Sequence, residues 1–369
     1  MICTNVTWRH SVPPSNIRLF IRDMTWELSN LLRAIATTIV IGIHASHAWW
    51  FGVNDTTTIN GEIFINTLIN QVGRLTVPIF VILSGFAIAK SEDKRPFTIR
   101  VFVQRRLWRI LPPYVFFTML HLIGRSQYQN ADWGGKGEQI WQALSSGMGD
   151  YHLYFLGIIL QCYICYPIMR RWQFTNRRLW LLISITFLLF TLRWIGATVK
   201  YLPIFAELLP HGNHAIYWLP YFQIGIWLAK APTWGKQLVE QWRSLQWRNL
   251  FAIAASLELG EFYWLAQMHN AAEDVGHYTR PTVVLMTLIF LLWSMSWQPI
   301  KSPVRANMIE ILAKASFTTY LTHVWVLRHI DPCKSLGGIW YVPIAIACSW
   351  AVGLAIWQMG IILKPYIKI

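Results

Sequence analysis

Leu31-Leu32-Arg33-Ala34-Ile35-Ala36-Thr37-Thr38-Ile39-Val40-Ile41-Gly42-Ile43-His44-Ala45-Ser46-His47-Ala48-Trp49-Trp50-Phe51 decides what kind of protein this is. The stretch has the length of a membrane-crossing helix, which needs about 17–25 mostly apolar residues. Yet it carries Arg33 and His44. Their spacing is close to three helical turns, so the two side chains share one face roughly 16 Å apart along the axis. A charged or titratable group at that depth is costly unless it faces a polar cavity or a partner. The pair therefore marks a functional site within an apolar bundle.

Outward from this stretch, the composition has the same character. The 369 residues are 54% hydrophobic and only 13% charged, with 22 Trp gathered near the ends of apolar stretches, where aromatic belts form. Mean hydropathy is +0.36. Apolar windows recur at 30–50, 70–90, 106–124, 152–170, 179–198, 214–230, 249–268, 281–297, 309–330 and 339–363. They predict an all-α integral membrane protein with about ten transmembrane helices.

A net charge of +15 would suggest nucleic acid as the partner of a soluble protein. Here the charge follows topology instead. One set of loops carries Arg9, Arg18 and Arg22, then Lys90, Lys94, Arg95, Arg100, Arg105, Arg106 and Arg109, and likewise Arg170, Arg171, Arg177, Arg178, Lys230, Lys236, Arg243, Arg248, Lys301, Arg305, Lys314, Lys364 and Lys368. The alternate loops carry only Arg125, Lys136, Lys200, Arg280, Arg328 and Lys334. By the positive-inside rule both termini are cytoplasmic, the chain is multi-pass in the cell inner membrane, and no nucleic acid is expected.

Residues 1–27 read as a cytoplasmic N-terminal segment without the apolar core of a signal peptide, and Met24 is a candidate natural start. Residues 28–369 read as one membrane-embedded domain. Cys162 and Cys165 form a CxxC inside an apolar window without nearby ligands, which is packing. No cluster has metal-ligand spacing along a helix, so no metal is expected.

Other polar residues recur at defined depths. Arg74 stands near the height of His44, and Ser84-Gly85 lies deeper in the same window, where a Ser-Gly pair serves either close helix packing or a site. Arg106 and Arg109, three apart, share a helix face and suit the phosphates of an anionic cofactor, although cations there also follow from topology alone. Arg105 adds a third cation. His152 opens the fourth window, and Tyr320 and His323 share a face of the ninth.

The order and spacing of these segments resemble the acyltransferase 3 family of integral membrane acyltransferases, which modify cell-surface glycans. The motifs that carry the resemblance are Arg33-x10-His44, Phe80-x-x-x-Ser84-Gly85-Phe86, Arg106-x-x-Arg109, Tyr151-His152-Leu153-Tyr154-Phe155-Leu156 and Ser316-x-x-x-Tyr320-Leu321-x-His323. The chain departs from the family pattern at Asn30, Ala34 and Val81. It looks most like the stand-alone members, such as the one that O-acetylates enterobacterial common antigen.

The resemblance implies acetyl-CoA as acyl donor and a glycan or lipid-linked sugar as acceptor, in contact with membrane lipids and with polysaccharide-assembly proteins as further partners. It makes His44 the base or acyl relay and Arg33 its electrostatic companion. Arg105, Arg106, Arg109 and Ser84 would hold the cofactor. Arg74, His152, Tyr320 and His323 would hold the acceptor. The rival class is a multi-span glycan transporter or flippase whose polar residues line an alternating-access path.

Overall fold

The computed structural model describes residues 24–50, 60–93, 97–124, 126–146, 149–198, 212–269 and 278–363. Expectations resting on residues 1–23, on Phe51, or on Lys94, Arg95, Arg125, Lys200, Lys364 and Lys368 lie outside these. Among the described residues every regular element is a helix and none is a strand. A bilayer offers no partner to an open backbone, so apolar segments satisfy their N–H and C=O groups internally.

In chain order the helices are α1 (Trp26–Ala45), α2 (His47–Trp50), α3 (Gly61–Val72), α4 (Thr76–Ser91), α5 (Ile99–Ile123), α6 (Ser126–Gln129), α7 (Trp133–Ser146) and α8 (Tyr154–Met169). After these come α9 (Asn176–Thr198), α10 (Ala215–Lys230), α11 (Pro232–Glu240), α12 (Ser244–His269), α13 (Pro281–Met295), α14 (Pro303–His329) and α15 (Gly338–Leu363). Each apolar window of the sequence falls on one of these helices or, for 30–50 and 70–90, on the α1–α2 and α3–α4 pairs. Among the described residues four helical stretches are long and apolar enough to cross a membrane: Trp26–Ala45, Gly61–Ser91, Asn176–Gly196 and Gly338–Ile362. The protein is thus a multi-pass helical membrane protein.

Local chemistry sets the helix starts. Thr25 caps α1 by accepting from the Leu28 N–H at 3.2 Å, and Asn60 caps α3 by accepting from that of Ile63 at 2.8 Å. Pro232, Pro281 and Pro303 open α11, α13 and α14, where the missing N–H would have had no helical partner.

Two boundaries differ from the sequence reading. α1 ends at Ala45, not at residue 50, because the chain turns at Ser46 and His47 begins a separate short helix. α5 begins at Ile99, not at residue 106, so Arg100 and Arg105 lie on the same helix as Arg106 and Arg109. Its apolar window starts later because the first turns expose Arg100, Gln104 and Arg105.

The core is centred where α4 crosses α10. A Cβ on Gly85 would overlap the Phe222 carbonyl, and one on Gly225 would overlap the Ile82 carbonyl, so two glycines bring the backbones into contact. Val81, Ile82, Phe86, Phe222, Ile226 and Trp227 are buried there. The helix α1 lies beside this pair and packs against α4, α14 and α15. That central position makes α1 the axis of the candidate site.

Candidate functional site

One cavity stands at each end of α1. At its C-terminal end a cavity of about 580 Å³ is lined by His44, His47, Arg74, Tyr151, Tyr154, Tyr278, Tyr341, Arg328 and Lys334, among others. At its N-terminal end a cavity of about 500 Å³ is lined by Trp26, Glu92, Phe102, Arg105, Arg106, Arg109 and Tyr166, among others. No residue lines both. His44 and Trp26 are eighteen residues apart on one helix, which is roughly 27 Å of axis.

A break between α3 and α4 positions the first cavity. Pro78 cannot donate to the Arg74 carbonyl, and the ladder tightens into a 3-10 turn over Gly73–Leu75. The turn packs directly on α1: a Cβ on Gly73 would come within 2.7 Å of Ile43 Cγ1 and 2.9 Å of Ile39 Cγ2. Arg74, the next residue, is thereby carried into the cavity that His44 lines.

Side-chain amides fix the register. The last carbonyls of a helix lack partners within it. Asn70 Nδ2 donates to one of them, that of Ile43, at 3.0 Å, while its Oδ1 accepts from Arg74 Nη2 at 2.7 Å and from Gln71 Nε2 at 3.0 Å. Gln71 Oε1 in turn accepts from Arg280 Nη2 at 2.8 Å, and Arg280 pairs with Glu258. Glu258 is fully buried and Arg280 nearly so. A line of polar groups therefore runs from a buried ion pair to the residue before His44. Arg74 also lies 4.8 Å from the centre of the Tyr278 ring.

Behind His44 stands a file of imidazoles. The His44 ring is stacked 5.2 Å from that of His323, His323 is 5.1 Å from His152, and His152 is 5.3 Å from His121. His323 Nδ1 lies 2.5 Å from the Tyr320 carbonyl, and the Tyr320 hydroxyl donates to the His152 carbonyl. His121, His152 and His323 are all buried. Both ring nitrogens of His152, and Nε2 of His121 and of His323, have no hydrogen-bond partner among the described residues.

The file ends at Asp150, whose Oδ2 lies 2.8 Å from His121 Nδ1 and accepts from Arg328 Nη2 at 2.7 Å. Burial alone would raise the Asp150 carboxyl, but the His121 hydrogen bond and the Arg328 charge outweigh it and hold it below its ordinary value. His121, Asp150 and His152 have metal-ligand composition, with ligand atoms within 4.8 Å of one another. Sequence spacing did not bring this trio together. The Arg328 guanidinium already supplies a cation on two of its members, since its Nη1 is also 2.9 Å from His121 Nδ1.

The second cavity is basic. Glu92 on its wall is neutralised by cations that do not line it: Arg170 donates to both carboxylate oxygens at 2.8 and 2.9 Å, and Lys230 lies 3.3 Å away. It also accepts from the wall residue Tyr166 at 2.5 Å. Burial would raise this carboxyl, yet these partners keep it below its usual value. What remains facing the cavity is the positive charge of Arg105, Arg106 and Arg109. Arg106 lies over the Tyr163 ring at 5.6 Å and the Phe102 ring at 6.0 Å, which orients it.

The structure therefore separates the expected site residues into groups. His44 and Arg74 meet in one cavity, and Arg105, Arg106 and Arg109 in the other. Arg33 lines neither; it sits on α1 between them, within electrostatic reach of Arg109 and Tyr163. His152, Tyr320 and His323 form the layer behind His44. Ser84 lines neither cavity and stands beside the Gly85 crossing.

Sequence reasoning missed Glu258, His121, Asp150 and Arg328. Glu258 carried a usable signal, an acid inside the 249–268 window, subject to the same cost that singled out Arg33 and His44. Asp150 and Arg328 are 178 residues apart, and each reads alone as an ordinary polar residue at a window's end.

Comparison with protein families finds a match to an acyltransferase domain, acyltransferase 3, over residues 28–358. Comparisons with curated proteins and with solved structures find no match.

Proposed function

Because the chain belongs to the acyltransferase 3 family, we propose that it moves an acetyl or similar acyl group from cytoplasmic acyl-CoA to a hydroxyl of a cell-surface or lipid-linked glycan. The observation that carries this reading is the pair of cavities at the two ends of α1, one basic and one holding His44. Arginines at the first suit the phosphates of CoA, since a guanidinium fork pairs two oxygens at once. The second, about 580 Å³ and walled by tyrosines, has the size and mixed polarity of a small-ligand site.

His44 is the base for the acceptor hydroxyl or the residue that carries the acyl group across. As a base it takes the hydroxyl proton while the acceptor oxygen attacks the thioester carbon, and the released thiolate is reprotonated from water. As a relay it attacks the thioester carbon through a ring nitrogen, and the C–S bond breaks to release CoA thiolate, which takes up a proton. The acceptor hydroxyl then attacks the acyl carbon, the C–N bond breaks, and the hydroxyl proton returns to the freed imidazole. Arg33, between the cavities and roughly 16 Å along the axis from His44, is too distant to touch the reacting atoms and instead offsets negative charge on the cofactor or holds another polar group in register. A transporter has no use for a donor cavity, which disfavours the rival class.

Two results are expected. Arg106→Ala with Arg109→Ala raises the apparent KM for acetyl-CoA by at least about tenfold, the value of one lost charge-assisted contact, with kcat less affected. An unchanged KM returns these arginines to topology signals. In the inner membrane we infer about ten spans with both termini cytoplasmic. Reporter fusions at Gly137 and Asn176 then report outside and inside respectively, and the opposite pattern overturns the orientation.

A further inference from the structure

The cavity at His44 carries more positive charge than a hydroxyl acceptor calls for. Its wall presents Arg74, Arg328 and Lys334 against Asp331 as the one carboxylate among the described residues that line it. The acids that balance the arginines are set back: Asp150 is 2% exposed, Glu258 is 0% exposed, and neither lines the cavity. The side chain of Arg328 is 50% exposed although it pairs with Asp150. A guanidinium has five N–H donors. Nη2 holds Asp150 and Nη1 faces His121, which leaves further donors for the cavity.

Arg74 is held in a fixed pose by Asn70 and by the Tyr278 ring, and it lies within electrostatic reach of His44. Lys334 sits at the rim, 2.5 Å from Asp331, with both side chains largely exposed. Asp331 offsets Lys334 at the rim, but deeper in the cavity Arg74 and Arg328 face it while the carboxylates of Asp150 and Glu258 stand behind it, so a negative group is favoured inside.

We propose that the acceptor carries an oxyanion, a carboxylate or a phosphate on its sugar, which Arg74 and Arg328 hold while a hydroxyl of the same molecule lies at His44. The position of the hydroxyl rests on the acyl-transfer reading. Binding of the oxyanion does not. Bidentate pairing of guanidinium with carboxylate or phosphate supplies the orientation that a lone hydroxyl contact lacks. The tyrosine walls supply faces for the sugar ring.

The test is equilibrium binding to the purified full chain in nanodiscs without acyl-CoA. The probes are methyl β-glucuronide, methyl β-glucoside and methyl β-glucoside 6-phosphate. At least one anionic sugar is expected to bind about tenfold or more tightly than the neutral one, as one charge-assisted pair implies. Whichever anion is favoured tells a uronic-acid acceptor from a phosphorylated one. Arg328→Gln should abolish the preference. Because that change removes the guanidinium from buried Asp150 and leaves it only His121 and the Tyr151 N–H, Lys334→Gln, at an exposed rim position, is the second variant and should reduce the preference.

Equal binding of the three sugars, no measurable binding of either anion, or a preference that survives both variants overturns the proposal. Anion-selective binding without transfer of any acyl group would leave this inference standing and sink the acyltransferase reading. Acylation of a neutral glycan without anion preference would do the reverse.

Discussion

His44→Ala is expected to lower acyl transfer by about 10²–10⁴-fold, the usual contribution of a positioned general base, while the protein still folds and inserts. The expectation of intact folding is structural. His44 lines a cavity and does not fill the core, and its ring contacts are Tyr151 at 4.9 Å and His323 at 5.2 Å. Losing them costs about 1 kcal/mol. The hydrogen bonds that end α1, from the Ser46 N–H to the Gly42 carbonyl and from the Asn70 side-chain Nδ2 to the Ile43 carbonyl, do not involve the imidazole. The check is the initial rate of labelled acetyl transfer per mole of folded protein. A variant of normal activity would reduce His44 to a packing residue beside the imidazole file.

The second large effect falls on stability. Glu258→Ala removes the nearer of two carboxylates on the buried Arg280 guanidinium and leaves Glu261 Oε2 at 3.7 Å. The expected cost therefore lies toward or below the lower end of the about 3–5 kcal/mol for breaking an isolated buried pair. The damage should spread along Gln71 and Asn70 to Arg74, since each holds the next. Glu258→Ala is therefore expected to lower the Tm in detergent and the yield of folded protein. Replacing both partners, as Glu258→Leu with Arg280→Met, should recover part of the loss, because removing a buried pair is cheaper than stranding one charge. Glu261 keeps the bond from Thr282, while Gln71 loses the one from Arg280. An unchanged Tm in the single variant, or a double variant worse than the single, would contradict the role assigned to this pair.

These two residues also show what was legible in the sequence. A membrane span must be long, apolar and internally hydrogen-bonded, so the windows located the helices with little else to guide them. The ends were harder. α1 stops at Ala45 because Ser46 turns the chain while the residues beyond remain apolar, and α5 starts early because basic residues make good helix without being apolar.

At the site, Arg33, His44 and Arg74 stood out because charge inside an apolar run demands a reason. The same reasoning applied to Glu258 would have flagged it. His121, Asp150 and Arg328 gave no such signal, since their meaning comes from a contact between the end of α5, the turn before α8 and the end of α14. The Ser84-Gly85 pair shows the opposite limit. A motif quoted for function has its glycine spent on the contact with the α10 backbone.

The measurement that bears most directly on acyl transfer is the O-acyl content of the host's surface glycans in a gene deletion, restored with either the wild-type gene or His44→Ala at matched membrane levels. The account predicts that the acyl group is lost on deletion, returns with the wild type and stays absent with the variant, while the amount of glycan is unchanged. Unaltered acyl content together with a fall in surface glycan would contradict it and make the protein a transporter.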